Sequence, residues 1–254
     1  MADLAENAVV KFEDVLAAAM RVPIVKVHRE AFLRKELQKY CSEAVIGEAI
    51  KGNPAKAGIK KSLVDKIAKS VIDYETNKVT AFSAAASLPG GAAAVGAAAA
   101  DITSYFAFLL RVVQELAYLY GFDEFELNEN NMDSETMNLL LLFMGVMFGV
   151  QGASAALKKA SEVLARQAAK SIAKQALTKG AIYPIVKSVA KKVGIRMTKQ
   201  IFADTAASAI PVVGALASGG LTYAMFKPCC IKLQEELRQY NLCDPAFYKQ
   251  AALE

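Results

Sequence analysis

SLPGGAAAVGAAAAD, residues 87–101, contains seven alanines and three glycines and carries its only charge at Asp101. Alanine buries little apolar area, at about 25 cal/mol per Å², but it lets two backbones approach closely in a tight helical core or inside a membrane. A Pro-Gly-Gly sequence divides the uncharged run 79–100 into halves that are each too short to cross a bilayer. The pattern predicts a close-packed helical hairpin, with turn and packing residues Pro89, Gly90, Gly91 and Gly96.

Two further runs, 136–157 and 205–226, also lack charged residues. The stretch MNLLLLFMGVMFGVQGASAAL (137–157) contains no proline, and it fits either a membrane span or the buried centre of a helical bundle. The run 205–226 resembles 79–100, and we expect proline and glycine to interrupt it as well. Its alanine content favours packing over insertion into lipid. The turn and packing residues predicted there are Pro211, Gly214, Gly219 and Gly220.

The composition indicates an all-α protein. Hydrophobic residues make up 54% of the 254 residues, tryptophan is absent, and no stretch has the period-two pattern of a β-strand. No linker divides the chain, so we expect residues 1–254 to form a single multi-helix domain with the Ala/Gly-rich hairpins at its centre. Short loops are predicted near Asn53-Pro54, 121–131, 180–184 and Pro228.

The cysteines and the N-terminus indicate the compartment. Cys41, Cys229, Cys230 and Cys243 form no CxxC pair, which favours reduced thiols over a disulfide framework or a zinc cluster. The first residues carry acids among the apolar positions, which is not typical of a secretory signal. We therefore expect a cytoplasmic protein, peripheral to the inner face of the membrane.

The net charge of +5 is unevenly distributed. Between Lys158 and Lys199 the chain has eleven Lys or Arg and one acid, whereas 122–135 has six acids and no base. The bases are spaced as on one face of an amphipathic helix, which is typical of an anionic membrane surface or of a partner-binding helix. The segment has one aromatic residue, Tyr183, so the sequence predicts no nucleic-acid binding. The candidate surface consists of Lys158, Lys159, Arg166, Lys170, Lys174, Lys187, Lys191 and Lys192.

No catalytic or metal site can be recognised in the sequence. His28 is the only histidine and lies among charged residues that indicate an exposed helix start. No nucleophile elbow and no phosphate loop are present. We therefore expect no enzymatic activity, no metal and no cofactor. Asp101 has two interpretations, a helix cap before Ile102 or a buried carboxylate paired with a distant base.

Five segments together resemble the EcsC family of bacterial proteins, which is named for its association with an ABC-type transporter operon implicated in secretion. The resemblance covers nearly the whole chain, from about Val22 to about Leu237, and its motifs keep their order. It implies an all-helical, membrane-associated protein, and it implies no catalytic residues. The segments are VPIVKVHREAFLRKEL (22–37), SLPGGAAAVGAAAADITSYF (87–106), RVVQELAYLYGF (111–122), LLLLFMGVMFGVQGA (139–153) and IPVVGALASGGLTYAMF (210–226).

Two functional hypotheses follow. The first is a non-enzymatic protein that binds an anionic membrane surface or lipid at the cytoplasmic leaflet, where it could serve as an accessory to an ABC-type transporter or secretion component. The second is a soluble interaction module whose basic surface docks an acidic protein partner. The first hypothesis predicts salt-sensitive binding to anionic lipid, and the second predicts none.

Overall fold

The computed structural model describes residues 16–86, 93–125, 127, 134–165, 188 and 211–251. These residues form α-helices and two short 3-10 helices, Pro23–Val25 and Asn241–Cys243, and they contain no β-strand. The prediction of an all-α fold is confirmed. The α-helices, numbered in chain order, are α1 Arg29–Leu37, α2 Glu43–Lys51, α3 Lys61–Ala86, α4 Ala93–Leu119, α5 Ser134–Met147, α6 Ala153–Ala165, α7 Pro211–Leu237 and α8 Pro245–Ala251.

Helix α4 lies at the centre of the fold and contacts α1, α3, α5 and α7. From Tyr105 to Phe122 nearly every side chain is buried, as expected for a helix that is apolar on all sides. The amide of Gln114 binds the N-terminal segment to this helix. Its Nε2 donates to the carbonyl of Val25 at 2.8 Å, and its Oε1 accepts from the amide of Val27 at 3.3 Å.

Helices α3 and α4 form the antiparallel pair that the sequence predicts. The rings of Phe82 and Phe108 lie 6.0 Å apart near one end of the pair. The hydroxyl of Tyr120 donates to Oδ1 of Asp65 at 2.7 Å near the other end. The connection at 87–92, with the predicted turn residues Pro89, Gly90 and Gly91, lies outside the described residues.

Helix α7 runs antiparallel to α3. Arg238 Nη2 lies 2.9 Å from Oδ2 of Asp65, and Lys227 Nζ lies 2.8 Å from Oδ1 of Asp73. Two ion pairs thus fix the register of the two helices.

Helix α7 also corrects a prediction, because it is continuous from Pro211 to Leu237. Pro211 is its first residue. A backbone N–H at that position would have no hydrogen-bond partner within the helix, so proline costs nothing there. The predicted interruptions at Gly214, Gly219 and Gly220 and the predicted loop at Pro228 are therefore wrong. Pro228 leaves the carbonyl of Ala224 without its helical donor, but both residues are exposed, so water can bind that carbonyl.

The apolar run 137–157 is divided between two helices, since α5 ends at Met147 and α6 begins at Ala153. Gly149 has a φ of 66°, and the amide of Val150 donates to the carbonyl of Gly145 at 2.8 Å, as in a Schellman cap. Gly152, with a φ of 86°, completes the turn. The interpretation of this run as one continuous helix, whether span or core, is wrong.

The α5 half of that run is buried from Leu139 to Phe148 in the apolar core. Among the helices that the structure describes, none combines the length and the apolar character needed to cross a bilayer.

Candidate functional site

The basic surface predicted from the sequence begins on α6. Lys158 and Lys159 are exposed there, whereas Leu157, Ala160 and Ser161 on the other side of the helix are buried. The helix therefore presents its cations to solvent and these three side chains to the core. The other predicted members of this surface lie outside the described residues: Arg166, Lys170, Lys174, Lys187, Lys191 and Lys192.

Two other predicted site residues lie within α4. This helix begins at Ala93, so Gly96 and Asp101 are inside it and neither belongs to a turn. The prediction that Asp101 caps a helix starting at Ile102 is wrong, because alanine is an excellent helix former and the helix extends back through the alanine run. The alternative, a carboxylate paired with a distant base, stays a prediction.

His28 lies at the start of α1, where the sequence places it, and its side chain is exposed. Its Nδ1 is 3.5 Å from Oε1 of Glu124. The described part of the chain contains no group of three or more His, Cys, Asp or Glu arranged to hold a metal ion. Cys41, Cys230 and Cys243 carry free thiols.

A buried charge cluster between α3 and α4 was not predicted from the sequence. Arg111 joins two buried carboxylates: its Nε is 3.2 Å from Oε1 of Glu75, and its Nη2 is 2.8 Å from Oε1 of Glu115. Lys78 Nζ lies 3.1 Å from the same oxygen of Glu75. The i,i+3 spacing of Glu75 and Lys78 and the i,i+4 spacing of Arg111 and Glu115 could have identified these pairs. Their burial could not be read from the sequence.

The cluster is arranged to retain a proton. Burial raises the pKa of Glu115 from 4.5 to about 8, and the neighbouring charge of Glu75 acts in the same direction. Arg111 and Lys78 act in the opposite direction. Oε2 of Glu115 has no hydrogen-bond partner in the described structure. Because Glu115 holds its proton near neutral pH, the Arg111 guanidinium is matched mainly by Glu75.

A second buried guanidinium, that of Arg29, binds backbone carbonyls. Its Nη1 donates to Ile50 at 2.8 Å, its Nη2 donates to Gly52 at 2.6 Å, and its Nε donates to Phe122 at 3.1 Å. These carbonyls belong to the C-terminal end of α2 and to the segment just after α4, where helical partners are lacking. Arg29 is therefore a structural residue that joins three elements.

The turn just after α4 explains why the LAYLYGF motif, residues 116–122, contains a glycine. Gly121 has a φ of 101°, and a Cβ built on it would lie 2.7 Å from the carbonyl oxygen of Leu242. The amide of Phe122 donates to the carbonyl of Ala117 at 2.9 Å, which closes a Schellman cap. Glycine is required here both by the backbone conformation and by the close approach of the C-terminal 3-10 helix.

Large apolar side chains are exposed along α3 and α7, and the sequence did not predict their exposure. The exposed fractions are 58% for Tyr74, 45% for Phe82 and 43% for Tyr223. Ala81 and Ala85 of α3 are also exposed, one residue before and three residues after Phe82. We call this set, Tyr74, Ala81, Phe82, Ala85 and Tyr223, the aromatic surface.

Lysines accompany the tyrosines of the aromatic surface. Lys78 Nζ is 5.2 Å and Lys35 Nζ is 5.7 Å from the ring centroid of Tyr74, and Lys227 Nζ is 5.4 Å from that of Tyr223. These are cation–π distances. The surface thus combines exposed rings with positive charge.

Comparison with known proteins assigns the chain to no family. No family model, no curated protein and no solved structure matches it. The resemblance to the EcsC family therefore stays a prediction from the sequence.

Proposed function

We propose that this chain is a non-enzymatic protein that binds the anionic cytoplasmic face of a membrane through the basic surface beginning at Lys158 and Lys159. The observation that supports the proposal is the orientation of α6, which exposes both lysines and buries the opposite side of the helix. From Arg166 to Lys199 the sequence adds nine bases and no acid, so the positive charge continues along the chain beyond α6.

The energetics favour reversible attachment. Each Lys or Arg near an anionic membrane surface contributes about 1 kcal/mol, and this contribution decreases with salt because the attraction is screened. Four or five aligned bases are therefore enough for binding that salt can reverse. The resemblance to the EcsC family supports the same proposal and adds a role as an accessory to an ABC-type transporter or secretion component.

Sedimentation with liposomes tests the proposal. The protein is mixed with anionic and with neutral liposomes at low and at moderate salt and then centrifuged. We expect it to pellet only with anionic liposomes and to be released by salt. Protein that stays in the supernatant in every condition would overturn the proposal, and the basic surface would then fit an acidic protein partner, sought by pull-down.

Charge reversal identifies the surface responsible. In the test variant, four bases of the predicted helical face are changed to Glu: Lys159, Arg166, Lys170 and Lys174. The matched control changes four exposed lysines elsewhere to Glu, namely Lys26, Lys39, Lys51 and Lys249. Both variants have the same net charge. Loss of liposome binding in the test variant alone supports the proposal, whereas equal loss in both means that binding follows net charge only.

A further inference from the structure

We infer that the aromatic surface of α3 and α7 is the part of the protein that enters the headgroup layer of the membrane. The inference rests on the proposed function and specifies it, because it names the side chains that contact the membrane. It starts from a feature that the basic segment does not explain, which is the exposure of Tyr74, Phe82 and Tyr223.

The register of α3 and α7 places these rings in one half of the pair, between the middle of α3 and its C-terminal end. The ion pair between Asp73 and Lys227, at 2.8 Å, marks a common level on the two antiparallel helices. From that level Phe82 lies about 14 Å further along α3, and Tyr223 lies about 6 Å in the same direction along α7, at about 1.5 Å per residue. Tyr74 lies close to the level of the ion pair itself.

The chemistry of the surface fits the boundary between headgroups and acyl chains. Tyrosine is enriched at that boundary because its ring is apolar and its hydroxyl is polar. Ala81 and Ala85 present only methyl groups beside the rings, so no charge has to be desolvated there.

The lysines of this surface suit the same boundary. A lysine can lay its aliphatic stem along apolar surface while its ammonium group reaches anionic headgroups. Lys78 and Lys227 lie over the exposed tyrosines. Each also pairs with a carboxylate of α3, which holds its ammonium group near the rings. Because these carboxylates already match Lys78 and Lys227, the attraction of this surface to the membrane rests mainly on its exposed rings.

Single-tryptophan reporters test the inference, because the chain contains no tryptophan. The reporters are Phe82→Trp and Tyr223→Trp. The matched control is Tyr40→Trp, since Tyr40 is 45% exposed, as Phe82 is, and also lies near a lysine, with Lys66 Nζ 4.9 Å from its ring centroid. Lys66 is about 24 Å from Phe82 along α3.

Each reporter is mixed with phosphatidylglycerol-containing vesicles, with and without bromine on the acyl chains. We expect the emission of both reporters to shift to shorter wavelength and to be quenched by the bromines, whereas the control keeps its emission. We also expect Phe82→Ser to weaken vesicle binding about fivefold, since the exposed half of the phenylalanine ring would no longer be buried in the membrane. Tyr40→Ser should have little effect.

The outcomes separate this inference from the proposed function. If the protein pellets with anionic vesicles but both reporters behave like the control, the inference is overturned and the proposed function stands. If the wild-type protein does not bind vesicles, both fail. Two other results would show that the rings pack against protein: reporter emission that is already at short wavelength without vesicles, or emission that shifts with protein concentration alone. Either result would also overturn the inference.

Discussion

Nη2 of Arg111 lies 2.8 Å from Oε1 of Glu115, one turn further along α4, in the interior of the helical fold. The same guanidinium contacts Glu75 of α3 through Nε and the carbonyl of Ile24 through Nη1. One side chain therefore connects the central helix, its antiparallel neighbour and the N-terminal segment. Removing one charged partner from such a group lowers the free energy of unfolding, because the remaining buried charges are no longer fully matched by opposite charges.

Arg111→Met is expected to lower the free energy of unfolding by at most about 3–5 kcal/mol, since it removes one of the two cations that match the buried Glu75 carboxylate and leaves only Lys78. Urea unfolding followed by circular dichroism measures the change. Arg34→Met serves as the control, because Arg34 makes its ion pairs with Glu30 and Glu43 at the surface and little change is expected there. Equal effects of the two substitutions would contradict the assignment of a buried cluster.

Glu115→Gln is expected to change how stability depends on pH. The pKa of Glu115 is about 8 in the folded protein and is ordinarily 4.5, so the folded state holds more protons than the unfolded state between these values. The wild type therefore loses stability as pH rises from about 4.5 to about 8. The variant lacks this loss, so its stability relative to the wild type should rise over that window. Parallel stability curves for the two proteins would count against the raised pKa, and Glu235→Gln, on the exposed side of α7, provides the control.

Gly121→Ala is expected to destabilise the fold by about 1–3 kcal/mol through its positive φ alone, with a further cost from the contact with Leu242. Gly47→Ala is the matched control. Gly47 lies inside α2, and apart from its own helix no atom of the described structure is within 4 Å of a Cβ built on it. Alanine is favoured over glycine in a helix, so the control should gain up to about 1 kcal/mol. Thermal or urea unfolding should give opposite signs for the two variants.

Arg29→Lys keeps the charge but loses the planar group that donates to several carbonyls at once. Each hydrogen bond to a charged group contributes about 1.5–3 kcal/mol, so a loss of about 2 kcal/mol or more is expected. Arg21→Lys, at an exposed position, should have little effect. A stability of Arg29→Lys equal to that of the wild type would show that a point charge is sufficient at this site.

The sequence predicted the features that depend on local composition. The helical class, the antiparallel pair α3 and α4 and the exposed position of His28 follow from residue types and spacing. The end of α5 at Met147, with Gly149 in its cap, was not predicted, because glycine is tolerated inside apolar helices and its backbone conformation is decided by the packing around it.

The candidate sites were harder to predict than the fold. The spacing of Glu75 and Arg111 is that of ordinary charges on a helix surface. Only the packing of α3 against α4 buries Glu75 and partly buries Arg111. Phe82 and Tyr223 are of residue types that usually lie in the core, yet both are exposed. In both cases the spacing of residues along one helix shows which side chains share a face. It does not show which face a neighbouring helix covers. Tertiary contacts alone decide that.

The carbonyl contacts of Arg29 also constrain the order in which the chain can fold during synthesis. Its partners at the C-terminal end of α2 and just after it are 20 to 23 residues away, whereas Phe122 is 93 residues away. At about 5–20 residues per second, the ribosome needs on the order of 5 to 20 s to produce Phe122 after Arg29. During this interval α1 and α2 can form, but they lack the partner that completes their packing. The N-terminal part of the protein therefore has to wait for α4 before it reaches its native state.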